Sequence, residues 1–529
     1  MPSLSIVKRG WPNPAARAAQ KRTSRTALKV TSLFAAAMLA VGILSTAHAP
    51  GALADPPATP VLGTYSGEIL QAPNVDNVRG IDIAATITAL QAAKVNTFAY
   101  LLYGYGVANA ATGSTARHTA AAKVTQAQWN DLPAFLTAAA AAGIDVWVYM
   151  VPPSESGDGY TISTYAPYYW DYVTWADQIG QVAAAHSNLR AIAMDDFGGN
   201  TAEAGSPWTF KFTTTNVAAM RTAARRHASW ISFYPAMYYC QFHGNGTITD
   251  PYRTVVDGFI AVYNGTASCT WWTGDGTTPP NTTDSSLADL LLRVPSSLVR
   301  CQSAGCLQLT VPGATGTVAG DYSLVQQTVT VQPGSSYSLN LWTNDDWIGG
   351  SPGGYHKLQV LVDGVVAWQE DVATWQDWHQ STVNLTSALA GKTTAVLTLR
   401  LYEAAGVGNF HVSTWFDSLQ PTGFTINNAA FTTAMTGWTP IESNGVFDQK
   451  WVPTKVFIPM AYAARLADIE PNPTTAAYTV AVVNKALQLT TEGKADGVML
   501  YNMNLTGAAN GLGDPATLGA VAPIFGSYP

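Results

Sequence analysis

The stretch Leu189 to Asn200 reads LRAIAMDDFGGN. Its apolar first half, Leu189 to Met194, reads as a buried strand; it ends abruptly in Asp195 and Asp196, followed by Phe197 and the flexible pair Gly198-Gly199. Two carboxylates at the mouth of a buried strand are costly. Desolvation disfavours both charged forms and their mutual repulsion raises at least one pKa, which is how proteins make a general acid at neutral pH. A second reading has Asp196 capping a helix after the glycines, with Asp195 solvated on a loop. The order of the surrounding elements bears on which reading holds.

Before and after this strand, short apolar runs alternate with helical patterns. Strands are expected at Val61 to Ile69, Val95 to Tyr103, Asp145 to Pro152, Trp230 to Met237 and Gly258 to Tyr263. Helices are expected at Asp82 to Lys94, Gln126 to Ala142, Tyr168 to Ser187, Thr213 to His227 and, shorter, near Pro251 to Asp257. After a long interruption the pattern resumes with Lys455 to Ala461, a helix over Thr474 to Glu492, and Ala495 to Tyr501. Strand and helix in this alternation mean parallel β-α-β units, and eight of them point to an α/β fold, a (β/α)8 TIM-type barrel rather than an open doubly wound sheet.

The interruption, residues 284–452, has a different grammar. Gln326 to Val331, Tyr337 to Trp342, Lys357 to Val362, Val365 to Trp368 and Ala395 to Tyr402 alternate apolar and polar residues between Gly, Pro, Asn and Asp turns. About ten short strands without helices predict an inserted all-β, jelly-roll-like sandwich. The expected organisation is a signal peptide over 1–54, six β/α units over 55–283, the sandwich over 284–452, and the last two units over 453–529.

The N-terminal reading rests on a basic region (Lys8, Arg9, Arg17, Lys21, Arg22, Arg25, Lys29), the apolar run Leu33 to Leu44, and small-residue sites at Ala47-His48-Ala49 and Ala52-Leu53-Ala54. It predicts a secreted, extracellular protein cleaved near Ala54; the alternative is an uncleaved anchor. Four cysteines agree with export, and the favoured pairings are Cys240 with Cys269 and Cys301 with Cys306, against free buried thiols. With 27 Lys plus Arg against 34 Asp plus Glu, the net charge of -7 offers no basic face for nucleic acid. No later stretch is long enough for a membrane span.

In a barrel of this class the strands' C-terminal ends meet at one mouth, and Asp195 and Asp196 follow strand four. Other candidates gather there: Glu68 after strand one, Tyr103 and Tyr105 after two, Tyr149 on three with Glu155 and Asp158 after it, Tyr238 and Tyr239 after five, Tyr462 after seven, and Tyr501, Asn502 and Asn504 after eight. Aromatic faces stack on pyranose rings and Asn and Tyr bind sugar hydroxyls, so the ring reads as a sugar site; each tyrosine taken singly reads equally as packing. The chemistry expected is glycosidic hydrolysis, with one carboxylic acid protonating the leaving oxygen and a second carboxylate supporting the reacting centre. Asp196 is expected as acid and base and Asp195 as its partner; otherwise the partner is Glu68 or Glu155, facing across the barrel mouth, with Glu68 as the first substitute.

The segments KVNTFAYLLYG (Lys94 to Gly104), GIDVWVYMVPP (Gly143 to Pro153) and LRAIAMDDFGG resemble strands two to four of retaining glycosidase barrels, most closely the O-GlcNAcase and bacterial hyaluronidase-like hexosaminidases. WWTGDGT (Trp271 to Thr277) is similar to that group's WTGP segment, which implies Trp271 and Trp272 as substrate-binding residues. FYPAMYYCQF (Phe233 to Phe242) departs from the group's fifth strand. The resemblance implies that Asp195 orients a substrate 2-acetamido group and that Asp196 is the general acid and base. Within the insert, VLVDG (Val360 to Gly364), the Trp-rich WQEDVATWQDWHQ (Trp368 to Gln380) and VLTLRLYE (Val396 to Glu403) resemble carbohydrate-binding modules.

No GxSxG elbow, phosphate loop, dinucleotide fingerprint or HExxH is present, and histidines are not clustered. No cofactor is required. Asp345, Asp346 and Asp417 are candidates for a structural calcium, against solvated loop aspartates. The expected function is a secreted glycoside hydrolase acting on an extracellular glycan; the alternatives are a noncatalytic glycan-binding protein and a transglycosylase using the same site.

Overall fold

The computed structural model describes residues 57–529 apart from 58, 66, 73, 75–77, 104–113, 157–163, 203–204, 239–240, 242–251, 253–254, 264–300, 312–315, 335, 346–352, 373–377, 407–411, 445–446, 463–475 and 502–514. The early apolar runs become β1 (Val61–Tyr65), β2 (Thr97–Leu102), β3 (Asp145–Met150), β4 (Leu189–Met194), β5 (Ser232–Tyr238) and β6 (Gly258–Tyr263). Next come β7 (Gly305–Val311), β8 (Tyr322–Val331), β9 (Ser338–Asp345), β10 (His356–Val362), β11 (Val365–Asp371), β12 (His379–Asn384), β13 (Thr394–Glu403), β14 (Val412–Thr422), β15 (Phe424–Thr425), β16 (Thr439–Glu442) and β17 (Asp448–Pro453). The chain then returns through β18 (Val456–Tyr462) and β19 (Gly497–Tyr501). Strands β1 to β6, β18 and β19 close into a barrel in that order, every neighbouring pair parallel.

These strands read as apolar runs because both their faces are covered. Val61, Tyr65, Ala99, Trp147, Tyr149, Ala191, Ala193, Tyr234, Ile260, Ile458 and Met499 fill the barrel interior. The alternate residues, among them Phe98, Tyr100, Val146, Val148, Ile192, Met194 and Phe233, belong to the outer core that the helices cover. Two strands begin on glycines that their neighbours require. A Cβ on Gly258 would lie 2.2 Å from the Val456 carbonyl oxygen; one on Gly497, whose φ is +124°, would lie 2.1 Å from that of Val61.

Among the described residues the longer helices are α1 (Ile83–Ala92), α2 (Ser114–Ala141), α3 (Tyr172–Ala185), α4 (Thr214–Arg225), α5 (Ala476–Thr491) and α6 (Pro515–Ser527). Asp82 and Asp171 cap α1 and α3, and Thr213 with Asn216 forms a capping box on α4. Three expectations are corrected. The first strand stops at Tyr65, short of Ile69, with Gly67 at φ +95° in the loop that follows. Helix α2 starts at Ser114, twelve residues before Gln126, in a run of small residues that carries little apolar periodicity. Trp230 lies before β5, half-exposed, its indole donating to the Leu189 carbonyl at 3.2 Å. The short helix expected near Pro251 falls partly outside the described residues.

Strands β7 to β17 form two antiparallel sheets, β12-β9-β14-β7-β17 and β11-β10-β13-β8-β15 with β16 also on β8. One core joins them, with Leu307, Leu341 and Phe416 from the first and Val325, Val360 and Leu399 from the second. Entry and exit are paired: β7 and β17 run side by side from Gly305 opposite Pro453 to Thr310 opposite Asp448. Cys301 and Cys306 form a disulfide at this junction, as expected; Cys240 and Cys269 lie outside the described residues. Asp417 is a buried clamp rather than a solvated loop residue. One of its oxygens accepts from the Ser303 N–H and the other from the Ser303 hydroxyl and the Ser418 N–H. Asp345 is buried at the end of β9, and Asp346 lies outside the described residues. Among the described residues no helix is long and apolar enough to cross a membrane.

Candidate active site

Asp195 continues the inward-facing series of β4, Ala191 and Ala193, by one more alternate position. Its N–H donates to the Met150 carbonyl at 2.9 Å, so it is held as though the strand ran on. It is 8% exposed. Both carboxylate oxygens are engaged: Tyr65 donates its hydroxyl to Oδ2 at 3.1 Å, Tyr149 donates to Oδ1 at 3.1 Å, and the Asp196 N–H reaches Oδ1 at 3.0 Å. Burial and then the Asp196 charge push the Asp195 carboxyl up to about 7, against the pull of these hydrogen bonds. Burial also holds the two tyrosine hydroxyls well above their ordinary value, so they remain donors.

Asp196 turns the chain, with φ at +39°. A non-glycine residue in the left-handed region costs about 1–3 kcal/mol, and here the following residue holds it there. Phe197 is fully buried, stacked on Phe212 at 5.0 Å and edge-on to Tyr252 at 5.0 Å, while its N–H donates to the Ala236 carbonyl at 3.2 Å. A 3-10 turn, Gly198–Asn200, follows, and Phe197 rather than an aspartate occupies its N-cap, without a side-chain cap. The capping reading of Asp196 is therefore overturned. A Cβ on Gly198 would lie 2.3 Å from the end of the Gln241 side chain, which would have to move aside.

Glu155 reaches the pair from a four-residue helical turn after β3, Pro153–Ser156. Burial, the charges of Asp195 and Asp196, and a side-chain hydrogen bond with Asp196 raise its carboxyl well above the ordinary range. Its protonated form is thus the favoured one, donating to Asp196. Asn200 fixes this approach. Buried itself, it donates to the Asp196 carbonyl oxygen and to Ser154 Oγ, both at 2.9 Å, and accepts from the Ser154 N–H at 3.0 Å.

Among the expected residues, the structure thus brings together Asp195, Asp196, Glu155 and Tyr149, and adds Tyr501, whose ring lies 5.0 Å from Tyr65. Glu68 stands apart from the trio: its carboxylate accepts from the Leu101 N–H at 3.0 Å, and burial raises it to about 7. Tyr103 packs against the outer core, its N–H donating to Gln128 Oε1 at 2.9 Å, and is not gathered to the carboxyls. Tyr238 and Tyr462 end β5 and β18. Tyr105, Asp158, Tyr239, Trp271, Trp272, Asn502 and Asn504 lie outside the described residues.

No protein-family model matches the chain, and no curated protein does. Among solved structures it is similar to the spore cortex-lytic enzyme SleL of Bacillus megaterium at 9% identity and a TM-score of 0.31, over 88% of this chain and 73% of that one. It is similar to a glycoside hydrolase family 18 N-acetylglucosaminidase from Paenibacillus barengoltzii at 10% identity and a TM-score of 0.30, over 88% of this chain and 99% of that one. An endo-1,4-beta-mannanase from Eisenia fetida matches at 13% identity and a TM-score of 0.25, over 37% of this chain, which spans 63% of the mannanase. Likenesses this slight carry no chemistry, and the reading of the site rests on its own atoms.

Tyr65 and Asn200 were not singled out from the sequence. The signal for Tyr65 is its place at the C-terminal end of β1 on the inward face, two residues beyond Gly63. Asn200 has no such signal, because its partners Ser154 and Asp196 are 46 and 4 residues away and meet it across a turn. Chemically, the trio offers a hydrogen-bonded carboxyl pair, one carboxylate fixed by three donors, and an aromatic wall. Among the described residues no group of three or more His, Cys, Asp and Glu is arranged to hold a metal ion.

Proposed function

We propose that the protein is a glycoside hydrolase whose reaction takes place at this barrel mouth, on a sugar bearing a 2-acetamido group at the bond to be cleaved. The observation that carries the proposal is the buried Glu155 carboxyl hydrogen-bonded to Asp196, beside an Asp195 locked by two tyrosines. A carboxyl whose pKa is raised by burial and a neighbouring carboxylate can serve as a general acid; Glu155 passes its proton along the hydrogen bond to Asp196, which delivers it to the leaving oxygen. In the usual two-carboxylate mechanisms the groups stand about 5–5.5 Å apart for retention and about 6.5–9.5 Å for inversion. Hydrogen-bonded carboxyls stand far closer, at about 2.5–3 Å, and meet a glycosidic bond from one side. A reaction that needs no enzyme nucleophile fits this arrangement. The acetamido oxygen bonds to the anomeric carbon as the glycosidic bond breaks, with Asp195 accepting from the acetamido N–H; water then opens the cyclic intermediate and returns the proton to the pair.

A second reading makes Glu68 the nucleophile, favoured by its burial and its carboxyl at about 7. Aryl N-acetylglucosaminides and aryl glucosides assayed side by side separate the two. Turnover confined to the acetamido substrate, lost by about a hundredfold or more in Asp196→Asn and Glu155→Gln but kept in Glu68→Gln, is the expected result. Equal turnover of both substrates with loss in Glu68→Gln would install the second reading. Binding of glycans without any turnover would make the chain a binding protein, and transfer to an added sugar in place of water would make it a transglycosylase. We also read the chain as exported and its substrate as an extracellular glycan; the Cys301–Cys306 disulfide supports an oxidising compartment. The inserted sheets are read as a jelly-roll module.

A further inference from the structure

On the six-stranded sheet, Val325, Val360, Leu399 and Leu401 point into the sandwich core, so the residues alternating with them face outward. Paired across β13, β10 and β8, these are Arg400 with Gln359 and Leu324, and Tyr402 with Lys357 and Tyr322. The Arg400 guanidinium lies 4.7 Å from the centre of the Tyr402 ring and 5.9 Å from that of Tyr322. Its Nε donates to Gln359 Oε1 at 2.7 Å, and Gln359 in turn donates to Gln369 Oε1 at 3.2 Å. Asp371, on the same face, is taken: Lys357 Nζ lies 3.3 Å from it and the Gly354 N–H donates to both its oxygens. Arg400 has no carboxylate partner among the described residues, and burial holds its guanidinium below its ordinary value.

A half-buried cation fixed by a hydrogen bond, flanked by two aromatic rings and left without an anion, carries a desolvation cost that a ligand can offset. We propose that this face binds a carboxylate-bearing glycan, with the terminal nitrogens of Arg400 taking a uronate carboxylate and Tyr402 and Tyr322 flanking the sugar rings. Guanidinium and carboxylate match as a two-bond fork, which a neutral sugar cannot offer. The site is separate from the barrel's carboxyls, and the proposal does not depend on what they catalyse.

The test uses the full chain carrying Asp195→Asn, so that nothing bound is consumed. Its probes are polygalacturonate, the same polymer fully methyl-esterified, and dextran sulfate. Binding to polygalacturonate at least tenfold tighter than to the ester, weakening as salt rises, is expected. Arg400→Ala should erase that preference, and Tyr402→Ala should weaken both forms. Should Arg400→Ala fail to fold, Arg400→Gln keeps the contact to Gln359 while removing the charge. Equal binding of acid and ester, an unchanged preference in the folded arginine variants, or dextran sulfate bound as tightly as polygalacturonate would each overturn the site.

Discussion

Asp195 is kept ionisable near neutral pH by opposing forces, burial raising its pKa and three hydrogen bonds lowering it. Removing one donor tips that balance. In Tyr149→Phe the Asp195 pKa rises further, so if its carboxylate must be ionised to orient substrate, the acidic limb of kcat/KM moves to higher pH; a limb that stays in place would refute the orienting role. Asn200→Ala leaves every carboxyl present but frees the Glu155 turn from the Asp196 loop. A drop of about tenfold or more in kcat with KM little changed is expected, since misplacing an acid costs mainly the chemical step. Glu68 gives a prediction about stability. Its folded pKa of about 7 lies above the ordinary carboxyl value of 4.5, so its penalty is absent below the lower value and grows as pH rises to the upper one. Glu68→Gln can still accept from the Leu101 N–H, and it should raise Tm by a few degrees at pH 8 and hardly at all at pH 4.

At the scale of elements, closure of the barrel is vulnerable where β19 meets β1. Gly497→Ala would press a Cβ into the Val61 backbone from a backbone conformation that disfavours any side chain, costing about 3 kcal/mol, the upper end for overpacking. Denaturant midpoints of the variant and its parent measure this, and an unchanged midpoint would mean that the β1–β19 seam yields more readily than its contacts suggest. The strands themselves were legible because each is buried on both faces and reads as an apolar run. Their ends were less so: β1 stops at Tyr65 because a loop takes over, and no apolar residue in SGEIL announces that. The Asp195–Asp196 pair was legible for the reason that makes it costly, charge placed at the end of an apolar strand. Glu155 was legible only as one of two alternative partners across the mouth, with Glu68; its hydrogen bond to Asp196 was not, because a bond between two turns leaves no periodicity in either.

The molecule as a whole has separate cores for the barrel and for the sandwich, which share no residues. Two calorimetric transitions are expected rather than one. Replacing Cys301 and Cys306 by serine should lower the sandwich transition and spare the barrel's; closing so short a loop contributes about 2 kcal/mol on the chain-entropy account. A single transition moved as a block would show that the two cores melt together. The junction between them has one more property. Two residues, Thr454 and Lys455, separate β17 from β18, and the Thr454 N–H donates to the Ala304 carbonyl at 3.0 Å beside the paired β7 and β17. A weight hung on one cord swivels freely, whereas one hung on two cords laced together keeps its bearing unless the lacing tears. A polymer gripped by the sandwich would be carried to the barrel at a set azimuth, like work held in a vice rather than bait on a line.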